Sequence, residues 1–244
     1  MTPSLDAEGG RVVWITGAAG GLGVALVEAF LEAGWCVAAT GHRSVPQGTP
    51  GPRLWVGTAD VTDSEAVRAT VGAVLERWGR LDALVNNAGC LADASVATMT
   101  DAQWDRVLDV HLKGAFRCCR EALPPMVSAG GGHILNVSSL AAREGVRGQA
   151  NYAAAKAGLV GLTLSLAREV GPSGVCVNAV LPGMLPTGMI AGLGPEQVSA
   201  QVSRSVLGRL NELREPARFL AGLAALRHVS GQVFALDGRV SRWV

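Results

Sequence analysis

The sequence holds a single tyrosine, Tyr152, and has no charge excess: 21 Lys and Arg against 20 Asp and Glu leave a net charge of +1. Near-neutrality removes the general attraction that a nucleic-acid partner would need, and no basic run restores it locally. Gly, Arg or Glu interrupts every apolar run, so no membrane span is expected. The cysteines, Cys36, Cys90, Cys118, Cys119 and Cys176, are odd in number and form no C-x-x-C pair. They read as small apolar fillers, with no metal site and no disulfide framework, in a reducing compartment. Residues 1–10 lack the basic and apolar regions of a secretory leader and read as a flexible tail, so a cytoplasmic location is expected. Linkers, internal repeats and low-complexity tracts are also missing.

What is present is a substantial apolar fraction, 49%, over 244 residues, enough for one large domain with its own core. Short apolar runs alternate with longer amphipathic ones. Strands are expected at Val12–Ile15, Trp35–Thr40, Leu54–Val56, Ala83–Val85, His133–Val137, Val175–Leu181 and Val233–Leu236. Helices are expected from about Leu22 to Ala33, from a cap at Thr62 or Asp63 to Trp78, from Asp101 to Leu123, and from Tyr152 to Val170. Pro124 and Pro125 are expected to stop the third of these. Nearly continuous apolar strands separated by helices imply a parallel sheet covered on both faces. Right-handed crossovers then give an α/β fold: a single Rossmann-type doubly wound parallel sheet of about seven strands. Residues 183–204, rich in glycine with two prolines, read as irregular and as a candidate substrate lid.

In such a sheet ligands bind beyond the carboxyl ends of the strands. There, Thr16-Gly17-Ala18-Ala19-Gly20-Gly21-Leu22-Gly23 joins the first strand to the first helix. Small residues let the backbone approach a pyrophosphate, and the helix N-terminus offers unpaired N–H groups and partial positive charge. Tyr152 and Lys156, four apart, share one helical face. A nearby ammonium is expected to favour the phenolate, bringing a group that ordinarily titrates near 10 toward neutral pH. Ser139 closes the fifth strand, and its hydroxyl could bond a substrate oxygen; the adjacent Ser138 reads as structural.

The turn's T-G-x-x-x-G-x-G spacing resembles the short-chain dehydrogenase/reductase family. Asn86-Asn87-Ala88-Gly89, the Ser139–Tyr152–Lys156 spacing, and Pro182-Gly183 followed by Thr187 are similar to its other motifs. The likeness covers about Arg11 to Val240. It implies hydride transfer between a nicotinamide cofactor and a carbonyl or alcohol, with Tyr152 exchanging a proton with the substrate oxygen. It further implies that Lys156 holds the cofactor's ribose. The remaining cofactor contacts are expected from Gly17, Gly21, Leu22, Gly23, Asp60, Val61, Asn87, Ala88, Gly89, Pro182, Gly183 and Thr187, besides Tyr152 itself. Asp60 reads equally well as a turn or cap residue. The acid that bonds an NAD ribose after the second strand is replaced by Gly41, with His42 and Arg43 following. Arg43 could pair with a 2′-phosphate, which favours NADP(H) over NAD(H). Gly20 stands where NADP-using relatives often carry a basic residue.

His111 occupies the segment where the family often has an asparagine that holds a relay water. Histidine can donate and accept as well, so it is a candidate catalytic residue, with plain packing as the alternative. Gly145 to Tyr152 is similar to the approach to the tyrosine in 3-oxoacyl-acyl-carrier-protein reductases. The first expectation is therefore reduction of a 3-oxoacyl thioester, carried on an acyl carrier protein or on coenzyme A. The alternatives are a small alcohol, sugar or polyketide ketone and, further off, a non-catalytic nucleotide sensor. Two departures stand out. The loops before the fifth and sixth strands, Ser128–Gly132 and Pro172–Gly174, lack the cations of carrier-protein reductases, and Asp237-Gly238-Arg239 replaces the usual Asp-Gly-Gly. A homo-oligomer, tetramer or dimer, is expected from the family, with helices such as Ala102–Leu123 and Tyr152–Val170 facing partner copies.

Overall fold

A computed structural model describes residues 10–46, 48–187 and 194–240. Most of the expected tail, residues 1–9, and part of the expected lid, residues 188–193, lie outside the described residues. The chain alternates strands β1 (Val12–Thr16), β2 (Cys36–Gly41), β3 (Leu54–Thr58), β4 (Ala83–Asn86), β5 (Gly132–Val137), β6 (Val175–Leu181) and β7 (Val233–Ala235) with helices. The helices are α1 (Gly21–Glu32), α2 (Ser64–Trp78), α3 (Asp101–Leu108), α4 (Gly114–Ser128), α5 (Ala141–Glu144), α6 (Ala150–Val170), α7 (Pro195–Val202) and α8 (Arg214–Leu223). The strands form one sheet in the order β3-β2-β1-β4-β5-β6-β7, every pair parallel.

The sequence explains this arrangement. β1, β4 and β6 are largely apolar without alternation because both faces are covered, and all their residues are buried. Side chains still alternate between faces. Val13 and Ile15 join Leu26, Phe30, Ala217 and Leu220 in the core under α1 and α8. Val12 and Trp14 join Val67, Val71, Cys118, Met126 and Leu166 under α2, α4 and α6. The edge strands β3 and β7 are only partly buried. The cap of α2 is Asp63, whose carboxylate accepts from Glu65 N at 2.8 Å. Thr62 instead donates through N and Oγ1 to Asp60.

Two expected elements need correction. The helix after Asp101 does not run unbroken: a π-helical turn, Asp109–Lys113, separates α3 from α4. Nor do the prolines end it, because Pro124 and Pro125 lie inside α4. Burial of Ala122 and Met126 against the sheet overrides the local cost of the missing donors. The helix ends where glycine permits it. Gly130, at φ +75°, and Gly131 donate back to Val127 and Met126, which satisfies the last carbonyls. The stretch 183–204 is also less irregular than expected, since it contains α7, with a proline in its first turn. Among the described residues no helix is long and apolar enough to cross a membrane, no group of His, Cys, Asp or Glu could hold a metal ion, and the cysteines are free.

Candidate active site

The carboxyl ends of β1, β4 and β5, the π-helical turn and the start of α6 converge on one region. The turn after β1 is shaped for close approach. Gly17 has φ +64°, and a Cβ there would lie 2.7 Å from Ala88 Cα. Gly23 packs on the backbone of Gly17 and Ala18 so closely that a Cβ would collide. Thr16 and Asn87 fasten this turn to the end of β4. Thr16 Oγ1 accepts from the N–H groups of Asn87 and Ala88, each at 3.0 Å, while Asn87 Nδ2 donates to the carbonyls of Thr16 and Gly17.

No side chain caps the N-terminus of α1, and its first turn holds no acid. Its free N–H groups and side-chain-free cradle fit a nucleotide pyrophosphate. Leu22 is buried beneath the turn. Thr187 lies over Gly21, with Cγ2 3.0 Å from where a Cβ would stand. Pro182 and Gly183 follow the carboxyl end of β6, and Gly183, at φ +75°, packs on Asp237. His42 and Arg43 are exposed after β2. His42 Nδ1 lies 3.3 Å from Asp60 Oδ2. Burial pushes the Asp60 carboxyl up, but hydrogen bonds from Thr62 and the charges of His42 and Arg117 outweigh it and hold the group below its ordinary value. Val61 is buried and lines the inner cavity described below.

Ser139, Tyr152 and Lys156 are brought together at the ends of β5 and α6. Ser139 Oγ accepts from Ala141 N at 3.2 Å. Ser138 turns inward and donates to the Lys156 carbonyl at 2.8 Å, a structural bond. Lys156 is buried and donates from Nζ to the Val137 carbonyl at 2.6 Å. Burial lowers its pKa to about 7. Its ammonium lies 5.6 Å from the centre of the Tyr152 ring. The expectation that this ammonium lowers the phenol is corrected: burial raises the Tyr152 pKa above its ordinary value, opposed only by a hydrogen bond from Ser139. In the chain by itself, Lys156 is spent on Val137.

His111 lies in the π-helical turn, which aims its ring at the segment after β4. Nε2 is 3.0 Å from Cys90 N and 2.8 Å from Cys90 O. The ring stands perpendicular to Tyr152 at 5.2 Å between centroids. Gly89 covers it so tightly that a Cβ would collide. Burial first, and the Lys156 charge second, lower its pKa to about 3, so the imidazole is neutral. A cavity of about 10 Å³ opens beside it, lined by Thr16, Val61, Asn86, Ala88, His111 and Lys156, among others. That is room for about one water. His111 Nδ1 and Asn86 Oδ1 are both buried without a partner.

Several residues in this region have no role of their own assigned from sequence. Asn86 Nδ2 donates to Asn136 Oδ1, and Asn136 Nδ2 donates to Thr163 Oγ1, threading a polar chain through β4, β5 and α6. Asn151 donates to the carbonyls of Ala92 and Gln103 and accepts from Tyr152 N, setting the start of α6. An asparagine inside an otherwise apolar strand, as in the run from His133 to Val137, is the signal that could have found the first of these chains.

A fold of this order, with a nucleotide-shaped turn and a Ser–Tyr–Lys cluster at the strand ends, defines a class of dinucleotide-dependent oxidoreductases. A family model described as short chain dehydrogenase matches residues 11–198, and the chain belongs to that family. The 3-oxoacyl-acyl-carrier-protein reductase of Thermotoga maritima is 38% identical over 240 residues, covering 94% of this chain and 97% of that protein. The corresponding reductase of Vibrio cholerae is 35% identical, covering 94% and 96%. Nodulation protein G of Azospirillum brasilense is also 35% identical, covering 93% and 97%. The chain is thus a nicotinamide-dependent oxidoreductase that acts on a carbonyl.

Proposed function

We propose that this enzyme reduces the 3-keto group of an acyl thioester with NADPH. The convergence of Ser139, Tyr152 and Lys156 beside the Gly17–Gly23 turn supports the chemistry, and likeness to 3-oxoacyl-acyl-carrier-protein reductases supports the substrate class. A bound nicotinamide supplies the hydride. Ser139 holds the substrate oxygen, and Tyr152, kept protonated by its burial, donates the proton to it. Lys156 holds the ribose. Asn86, His111 and Lys156 hold a water in the cavity beneath, which relays a proton from bulk solvent to the tyrosine. The orphaned Asn86 Oδ1 and His111 Nδ1 support this part of the reading. Exposed Arg43, with no acid at Gly41, supports NADPH over NADH.

The uncharged loops Ser128–Gly132 and Pro172–Gly174 favour a coenzyme A thioester or a small ketone as a second reading. Their glycines have a packing duty: a Cβ on Gly174 would lie 2.6 Å from Gly130 O. Both loops sit at the amino ends of β5 and β6, the opposite ends of these strands from Ser139. Exposed Trp104, Phe116 and Leu164, on α3, α4 and α6, support self-association through these helices. Free cysteines fit a reducing cytoplasm.

The test is NADPH oxidation against a carrier-linked 3-oxoacyl thioester, acetoacetyl-coenzyme A and a panel of small ketones, with Tyr152→Phe as control. Turnover of the thioesters, abolished in the variant while NADPH binding persists, is expected. Turnover of small ketones alone refutes the thioester reading, and an active variant refutes the mechanism.

A further inference from the structure

Arg239 stands where the resembling family has glycine, and it does not point into solvent. Its side chain is 14% exposed. Its backbone N and Nε donate to Asp237 Oδ1 at 2.7 and 2.8 Å, and Nη2 donates to Oδ2 at 2.7 Å. This fork fixes the plane of the guanidinium. Burial pushes the Asp237 carboxyl up, but the bonds from Arg239 hold it below its ordinary value. The free edge of Arg239, Nη1, lies 3.5 Å from Glu144 Oε2 and 3.5 Å from Gln201 Oε1. Arg204, just past α7, donates to the same Glu144 oxygen at 2.6 Å.

Glu144 therefore collects guanidinium groups from separate segments. The backbone reinforces the contact: Val206 N donates to the Gly238 carbonyl at 2.7 Å, and a Cβ on Gly238 would collide with Ser205. At the other end, Asp237 is wedged against Gly183, where a Cβ would meet Oδ2 at 2.7 Å. Glu144 is the last residue of α5, whose first N–H donates to the Ser139 hydroxyl.

We propose that Glu144 is a positioning residue for substrate. Through Arg204 and Arg239 it fixes the end of α7 and the segment after β7 to the short helix that begins beside Ser139. An isolated exposed pair would contribute little. Here one carboxylate is shared by two guanidiniums, and one of these is locked by a second carboxylate. None of these side chains belongs to the turn, to the Asp60 corner or to the Lys156 cavity. Loosening Glu144 and Arg204, the end of the network away from Gly183, should therefore act on the substrate side.

The inference rests on Ser139 and Tyr152 facing the substrate, which Tyr152→Phe tests separately. Glu144→Gln keeps the shape and removes the charge. It is expected to raise KM for the best substrate of the panel about fivefold, the upper range for a partly exposed pair, while kcat and KM for NADPH stay within about twofold. Arg204→Gln should do the same, and the double variant should be no worse than either single one. Arg204→Lys should recover most of the loss. Hydrogen exchange in α7 should quicken in Glu144→Gln with the thermal midpoint unchanged, a readout that needs no turnover. Unchanged substrate KM overturns the proposal even if exchange quickens. Additive effects of Glu144→Gln and Arg204→Gln overturn it too, as does a parallel loss in kcat, NADPH affinity and thermal midpoint.

Discussion

His133 and His111 make the folded chain sensitive to acid well above the range in which carboxylates titrate. Both are buried. Burial lowers the pKa of His133 from 6.5 to about 4 and that of His111 from 6.5 to about 3. The unfolded chain takes up protons at both positions below pH 6.5, while the folded chain does not, so stability is full above that value and falls as pH falls toward the folded pKa values. Between pH 7 and pH 5 each histidine costs about 2 kcal/mol, and the pair about 4 kcal/mol, a large fraction of the 5–15 kcal/mol of about an average domain. Asp60 and Asp237, whose pKa values lie below the ordinary one, lose their contribution below this window. Lys156, at about 7, acts mainly above it. The perturbation is His133→Gln, which keeps an acceptor for Asn178 Nδ2, now 2.8 Å from the ring nitrogen, and removes the titration. Urea unfolding at fixed protein concentration, repeated from pH 7 to pH 5, should show the fall in wild type and about half of it in the variant. A wild-type stability that is flat over this range, or an equal slope in the variant, refutes the reasoning.

Arg43→Ala should weaken NADPH about tenfold or more and leave NADH nearly unchanged, since a lost charge-assisted bond to a 2′-phosphate is worth about 1.5–3 kcal/mol; equal losses in KM would remove the argument from Arg43. His111→Ala should lower kcat about tenfold, about 1.4 kcal/mol of barrier, and change its solvent isotope effect, whereas His111→Asn, able to bond both groups of Cys90, should retain more activity. A neutral result for His111→Ala in stopped-flow turnover returns the residue to packing. Gly17→Ala should abolish nucleotide binding by calorimetry, because a Cβ at φ +64° would press on Ala88 at 2.7 Å, and left-handed backbone costs about 1–2 kcal/mol by itself.

Most of the sheet is legible in the chain because the buried parallel strands are nearly continuous apolar runs and glycine or proline punctuates them. Every expected strand is present, with ends moved by a residue or two. The nucleotide turn is legible because the tight packing of Gly17 and Gly23 admits no side chain. What escaped were features decided by contacts far apart in sequence. Pro124 and Pro125 read as a stop, yet Met126 is fully buried against the sheet, and tertiary packing carries the helix past them. The π-helical turn at Asp109–Lys113 has no local signal, since its bonds to Cys90 come from a residue 21 positions away. The proximity of Tyr152 and Lys156 could be read from spacing, but not that Lys156 Nζ donates to the Val137 carbonyl or that burial raises the phenol. The ion pairs of Glu144 with Arg204 and Arg239 join residues 60 or more positions apart and have no motif at all.

The strand order also permits assembly in chain order. After β1, the sheet grows through β2 and β3 on one side; it then crosses back to β4, and each later strand adds at the newly exposed edge, ending in β7. No strand is inserted between two already paired. A chain emerging from its amino end can therefore lay down its sheet in the sequence in which it is made, with the nucleotide turn formed before Ser139, Tyr152 and Lys156 exist. The segment after β6, which carries α7, α8 and β7, is the last to be added. It can be changed without reopening the pairing that holds the cofactor end.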